Sequence, residues 1–480
     1  MSNTGPAIPT EGRAHAELLE EMRAWRSEDV RWDEHRAFSL VFHHSDEHTD
    51  FLKQAHNLFF EGNGLNPMAF ASLRRFEHDV VRMTARLLNG GADAVGTMST
   101  GGTESIMLAM RTYRDRARKL KPWVKQPEVV LPESAHIAFL KAGKYFDVRM
   151  VTAPLEKDGR VNINAVRRRI NPDTIALVGS APNYPNGAID PMEELGALAL
   201  DHGLPLHVDA CVGGFFLPWA ERLGYDIPPW DFRVPGVTSI SADLHKYGYA
   251  AKGASTITYR SMDYLRHQFY VHVNWPGGVF ASPSMPGTRP GGTIAAAWAA
   301  LQAMGESGYL ESTRQTLAVA ERFREGIRAI DGLEIVGAPP VGLMAYRSAH
   351  KALNIYAVAD VLAQRGWHVD RQQKPASIHL MLNPGHAFIV GQYLADLEEA
   401  VAYVRAHPKS AVAGSAPAYG LMAGAPMRGM VEKNVRAAME RMFSPEGATP
   451  SFDAKDGGVP RPVLALMKLK RAVTDIFRKG

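Results

Sequence analysis

The chain has 480 residues, 46% hydrophobic and 22% charged, with a formal net charge of +4, the balance of a soluble globular protein long enough for several domains. No long Lys/Arg run supports nucleic-acid binding, and a pI near 8.9 hints only weakly at anionic small ligands. A single cysteine, Cys211, excludes an internal disulfide framework and fits a reducing cytoplasm.

The N-terminus lacks the basic head and apolar core of a signal peptide. No run approaches the roughly 18 apolar residues of a membrane span, so stable membrane insertion is not expected. Residues 1–70 read as a charged and aromatic N-terminal arm. Within it "HHSDEH" carries His43, His44 and His48, at a spacing that matches no standard metal site. It reads as a solvated segment.

From Ala71 to Asn89 the apolar positions Leu73, Phe76, Val80, Met83 and Leu87 step by three and four. That spacing predicts an amphipathic helix closed by Gly90-Gly91. Then comes "GTMSTGGTESIMLAM", Gly96 to Met110, with glycines and hydroxyls where a helix begins. Free N–H groups and the positive end of the helix dipole suit an anion there, with Thr103 and Ser105 as further donors. A plain helix cap is the alternative.

Short β-rich runs follow, "PEVVLPES", "DTIALVGSAP", "LPLHVDAC", "VTSISADL" and "ASTITYR", alternating with helical patterns such as "PMEELGALALDHG". The rhythm predicts βα units and a mostly parallel sheet covered by helices. His136, after the first of these runs, is either a ring able to stack on a flat ligand or a hydrogen-bonded core histidine. In "LHVDACVGGF", His207 and Asp209 share a strand face. Asp209 falls at the carboxyl end, where α/β sheets bind ligands; a carboxylate there needs a cationic partner or caps the next turn. "SISADLHKYGYAAKGAS" then sets Lys246 among small and apolar neighbours, an unusual place for a residue so rarely buried.

A helical pattern from about Gly308 to Ile330 leads into a smaller α/β unit. Its strands are "LEIVGAP", "LMAYRS" and "SIHLMLNP", and "HAFIVGQYLADLEEAVAYVRAH" is a closing helix. "SAVAGSAPAYGLMAGAP" reads as a linker, and the tail "LMKLKRAVTDIFRKG" as a solvated surface helix. The expected division is an arm (1–70), a large domain (71–307), a small C-terminal domain (308–408) and a linker with tail (409–480).

The signatures of P-loop, nucleophile-elbow, zincin, CxxC and dinucleotide chemistry are absent. What remains is a lysine at one strand end, an aspartate at another and an anion cradle at a helix start. These are the three needs of pyridoxal 5′-phosphate: an amine for its aldehyde, a carboxylate to keep its ring nitrogen protonated, and donors for its phosphate.

"SADLHKYG", "HVDACVGGF", "STGGTES", "APNYPNGAIDP" and "ASPSMPGTRPGG" together resemble the group II pyridoxal-phosphate-dependent decarboxylase superfamily, and within it the sphingosine-1-phosphate lyase branch. The likeness runs from about Phe38 to Tyr419. It implies a type I (aspartate aminotransferase-like) fold and a homodimer with shared active sites. It also implies Lys246 as the cofactor lysine, Asp209 as the ring-nitrogen partner and His136 as the stacking ring. Gly102, Thr103 and His245 would hold the phosphate, with Thr288 reaching in from the second subunit. Tyr184 and Lys252 match positions lining the substrate site; a rim lysine is the plainer reading of Lys252. Two positions depart from the branch: Phe42 stands where a tyrosine is usual, and Asn66 where a histidine often assists the substrate phosphate.

The implied activity is cleavage of sphingosine 1-phosphate and related phosphorylated sphingoid bases to a long-chain aldehyde and phosphoethanolamine. The runner-up is an amino-acid decarboxylase, for which Arg289 is an available carboxylate holder, although it more readily orders its own loop. A cofactor-bound protein without turnover is a third reading.

Overall fold

The computed structural model describes residues 7–337, 341–407, 428–445 and 447. The linker and the basic tail read from the sequence lie outside the described residues.

Seven strands form the larger sheet: β1 (Val95–Ser99), β2 (Glu128–Pro132), β3 (Arg149–Ala153), β4 (Thr174–Ser180), β5 (Leu206–Asp209), β6 (Val237–Ala242) and β7 (Ser255–Tyr259), in the order β1-β7-β6-β5-β4-β2-β3. β7 alone runs against its neighbours. Every residue of β2, β4, β5, β6 and β7 is buried, which is why these strands read as continuous apolar or small-residue runs: helices cover both faces. β3, half-buried at the edge with Arg149 and Thr152 outward, escaped that pattern. A small hairpin, β8 (Tyr270–His272) with β9 (Phe280–Ser282), leaves the body of the sheet.

The second sheet has the order β10-β11-β13-β12, from β10 (Leu333–Val336), β11 (Leu343–Ser348), β12 (Asp370–Gln373) and β13 (Ala376–Met381), antiparallel throughout. It packs on helices Ile355–Gln364 and Val390–Ala406 around its own apolar core. A helical run, Gly291–Ala329, serves both cores. Its first part buries Ile294, Ala297 and Ala300 in the large core, and its last part buries Val319, Phe323 and Ile327 in the small one. Gly305 breaks it with φ 55°, a conformation glycine adopts without cost from a Cβ. The sequence pattern began only at Gly308, beyond that break, because the alanine-rich stretch before it has little polar contrast.

The described arm begins with an exposed helix, His15–Arg26, and docks on the body from Ala37 onward. Phe38 is fully buried, with its ring 4.8 Å from both His386 and Tyr393. The "HHSDEH" segment is solvated only in part: Asp46 and Glu47 are exposed, but Ser45 caps helix Asp46–Asn57 by accepting from the His48 N–H, and buried His48 contacts the Tyr249 carbonyl at 3.1 Å through Nε2. Burial pushes the pKa of His48 and His44 down. Among the described residues no His/Cys/Asp/Glu group has a metal-holding arrangement, and no helix is long and apolar enough to cross a membrane.

Phe38 therefore ties the arm to the small core. Phe38→Ala is expected to cost about 3–5 kcal/mol, read as a lower urea midpoint; a loss below about 1 kcal/mol would show that the arm does not belong to this core.

Candidate active site

β1 runs parallel to β2 through β6, so six carboxyl ends face one way. Five of them deliver side chains to one chamber of about 350 Å3. Gly102 and Thr103 follow β1, His136 follows β2, Tyr184 follows β4, Asp209 ends β5, and Asp243, His245 and Lys246 follow β6. Parallel strands gather residues distant in sequence in this way, at the crevice where such sheets bind ligands.

Lys246 donates to Asp243 Oδ2 at 3.0 Å, and the Asp243 side chain is only 2% exposed. Burial is the largest single influence and lowers the lysine pKa; the charge and hydrogen bond of Asp243, joined by Cys211 and Asp209, together outweigh it and hold the ammonium above its ordinary value. The reciprocal effect holds Asp243 ionised: against burial, Lys246 and then His245 keep its pKa below the usual carboxylate range. His245 Nδ1 accepts from the Ala254 N–H at 3.2 Å, which leaves Nε2 as the donor of the neutral ring. Burial lowers its pKa, with Asp243 opposing.

Asp209 is 7% exposed and its Oδ1 accepts from the Cys211 N–H at 3.1 Å. His207, on the same strand face, does not reach the chamber. It is fully buried with Nδ1 2.7 Å from Ser239 Oγ, and burial pushes its pKa down to about 4.

The anion cradle is narrower than the sequence suggested. Thr103 lines the chamber, but Ser105 is spent elsewhere, its Oγ 2.7 Å from Ser99 Oγ and 2.9 Å from Ser255 Oγ. Helix Gly102–Leu120 presents its first N–H groups here, which have no intrahelical partner. A Cβ at Gly102 would fall 2.6 Å from Cys211 Sγ and 2.9 Å from Asp243 Oδ2, so the close approach of backbone to chamber demands glycine.

Two carboxylates escaped the sequence reading. Asp243 stands three residues before Lys246 in "DLHK", and that spacing was the available signal. Glu104 accepts from both the Thr100 N–H and hydroxyl at 2.7 Å, and from the Met285 N–H at 2.9 Å. It thereby fastens the cradle loop to the loop that carries Thr288.

The remaining expected residues lie apart within this chain. Thr288 sits at the surface, where its Oγ1 accepts from Asn63 at 3.3 Å. Asn66 is exposed and its Oδ1 accepts from the Met68 and Ala69 N–H groups, a local turn. Lys252 lies just behind the chamber wall, donating to the His245 carbonyl at 3.2 Å and standing 5.3 Å over the Phe42 ring. Part of its side chain meets solvent, yet burial of the ammonium, with Lys246 adding and Asp243 opposing, pushes its pKa down to about 8. Arg289 donates to Glu77 at 2.6 Å and to the Gly64 carbonyl at 2.8 Å, ordering its own loop.

A chamber with a lysine, a buried carboxylate at a strand end, a flanking imidazole and a backbone anion cradle matches the amine, ring-nitrogen and phosphate needs of pyridoxal 5′-phosphate. Residues 65–349 match the family model described as the pyridoxal-dependent decarboxylase conserved domain. An Arabidopsis thaliana sphingosine-1-phosphate lyase is 42% identical over 92% of this chain and 82% of its own length. The chain belongs to the sphingosine-1-phosphate lyase branch of that family. It is a pyridoxal 5′-phosphate-dependent lyase of the type I fold.

A solved structure of Burkholderia pseudomallei sphingosine-1-phosphate lyase superposes with a TM-score of 0.80 at 39% identity, covering 85% of this chain and 94% of that one. Lactobacillus brevis glutamate decarboxylase gives 0.73 at 20% identity, over 83% and 95%. That second likeness concerns the lyase's fold alone.

Asp243→Asn removes the charge that holds the Lys246 proton. In the cofactor-free lyase, the pH at which Lys246 becomes trappable by pyridoxal phosphate and borohydride is expected to fall by at least about one unit. An unchanged trapping profile, located by peptide mapping at Lys246, would refute this account of the pair.

Proposed function

We propose that the lyase cleaves sphingosine 1-phosphate and related phosphorylated sphingoid bases, releasing a long-chain aldehyde and phosphoethanolamine. The observation that carries this reading is the 42% identity sustained along 92% of the chain with a sphingosine-1-phosphate lyase. Against the runner-up, amino-acid decarboxylation, Arg289 is engaged by Glu77 and Gly64 and is not free to hold a substrate carboxylate.

Bound pyridoxal 5′-phosphate supplies an electron sink for the bond broken beside the substrate amine. In this reading Lys246 provides the amine that holds the cofactor aldehyde, and Asp209 keeps a proton on the ring nitrogen. Gly102, Thr103 and His245 hold the phosphate, and His136 flanks the ring. Lys252, with its lowered proton affinity, takes the proton of the substrate hydroxyl. Tyr184 returns a proton to the carbon left behind when the aldehyde departs. Asn66 serves the substrate phosphate.

We further propose a homodimer in which Thr288 of the second subunit completes the phosphate site. Exposed apolar residues on and beside the β8–β9 hairpin support it, among them Val273 at 70%, Trp275 at 53% and Val279 at 73%, a patch of the kind that marks an interface. The single buried thiol, Cys211, supports a cytoplasmic setting.

Purified enzyme with cofactor is expected to release aldehyde from sphingosine 1-phosphate and no carbon dioxide from glutamate, aspartate, tyrosine or tryptophan. Carbon dioxide from an amino acid, without aldehyde from the lipid, would replace the reading with the runner-up; silence on both would favour a protein without turnover. With Lys252 as the base, kcat/KM rises with pH through a midpoint near 8. In Lys252→Gln that limb disappears and kcat falls by about a hundredfold or more; a variant that keeps the limb assigns the titration to another group.

A further inference from the structure

β12 and β13 pair so that Asp370 lies directly opposite His379. Residues opposed across an antiparallel pair share a sheet face, and this face meets Tyr184, which lines the chamber. The Tyr184 hydroxyl donates to Asp370 Oδ2 at 2.8 Å. The His379 ring lies against the Tyr184 ring, with centroids 4.4 Å apart and planes 36° from parallel. His379 is fully buried, and neither of its ring nitrogens completes a hydrogen bond, although one is directed at the Tyr184 backbone. Such an unmatched polar ring is costly to bury, and what it contributes here is a flat wall against a single tyrosine.

We propose that Asp370 and His379 are positioning residues for Tyr184: the small sheet, not the cofactor-binding sheet, fixes the direction of its hydroxyl and keeps it protonated. The proposal rests on reading Tyr184 as a group that moves a proton in the reaction.

The physical argument is one of charge and reach. A phenolate beside an ionised carboxylate is a like-charge pair, so Asp370 favours the neutral tyrosine. Burial raises the Tyr184 pKa and Asp370 raises it further. Burial also holds His379 neutral by lowering its pKa, with Asp370 opposing, so the wall adds no positive charge that would stabilise a phenolate. The other titratable groups around Tyr184 are His136, whose ring stands 6.3 Å away nearly edge-on, and Asp209, Asp243, His245 and Lys246 in the chamber. Asp370 is the group among them that accepts the tyrosine proton in a hydrogen bond. Tyr184 follows β4 in the large sheet and Asp370 opens β12 in the small one, 186 positions apart, so a displacement of the small sheet moves the hydroxyl of a residue that lines the chamber.

The test is the ionisation of Tyr184 in the holoenzyme, read as phenolate absorbance of the protein minus that of Tyr184→Phe. The same subtraction is then made in an Asp370→Asn background. Tyr184 is expected to ionise at least about one pH unit lower once the carboxylate is gone. In parallel, kcat of Asp370→Asn falls about tenfold with KM nearly unchanged, its alkaline limb moves to lower pH, and Asp370→Glu restores part of the loss. His379→Phe, which keeps a flat ring, retains most of the turnover, whereas His379→Ala does not. An Asp370→Asn protein whose Tyr184 titrates as in the parent overturns the proposal. Asp370→Ser carries the same readout should the amide variant fail to fold. If Tyr184→Phe turns over normally, the catalytic reading of Tyr184 fails, while the absorbance shift still decides whether Asp370 sets its proton affinity.

Discussion

An ammonium withdrawn from water must keep a counter-charge or lose its proton, and Lys246 keeps Asp243. That constraint organises the chamber. The carboxylate is itself almost wholly buried, and it stays ionised because Lys246 above all, then His245 and Ser255, offset that burial. Each member justifies the other's charge, as buried ion pairs must. In the role proposed for Lys246, an amine that condenses with an aldehyde has to give up its proton. Asp243 holds that proton without sharing Asp209's place at the end of β5.

Parallel pairing supplies the rest of the geometry. Ser180 stands beside Asp209, and Asp209 beside Ser241, so the ends of β4, β5 and β6 fall level and the loops beyond them meet. The backbone has to come close for this to work. Gly102 has no room for a Cβ between Cys211 and Asp243, and Glu104 ties the cradle loop down through Thr100 while reaching Met285 with its other oxygen. The loop bearing Thr288 is thus fixed by the same helix start that opens the cradle.

The parts of this arrangement legible in the sequence are those with local contrast. The buried strands announced themselves as runs of apolar or small residues, and Lys246 and Asp209 were conspicuous because charge at the end of such a run is rare. What could not be read depends on partners far along the chain. Ser105 looked like a phosphate donor until Ser99 and Ser255 claimed its hydroxyl. "HHSDEH" looked solvated because nothing local reveals that Tyr249 lies over His48. Gly291 to Gly305 gave no helical stripe because alanine on several faces blurs the period. β12, "DRQQ", is polar throughout and carries no strand signal, yet it sets Asp370 on Tyr184.

The second ammonium shows how electrostatics separates residues of one type. Lys246 and Lys252 lie six positions apart and are shifted in opposite directions, because Asp243 bonds the first at 3.0 Å and acts on the second only from a distance. Lys252 meets instead a carbonyl oxygen and the face of Phe42. A ring face attracts a cation weakly compared with a carboxylate, so it steadies the ammonium without fixing its proton. Asp243 thereby sets the two amines apart, one held charged and the other with its proton affinity brought down to about 8.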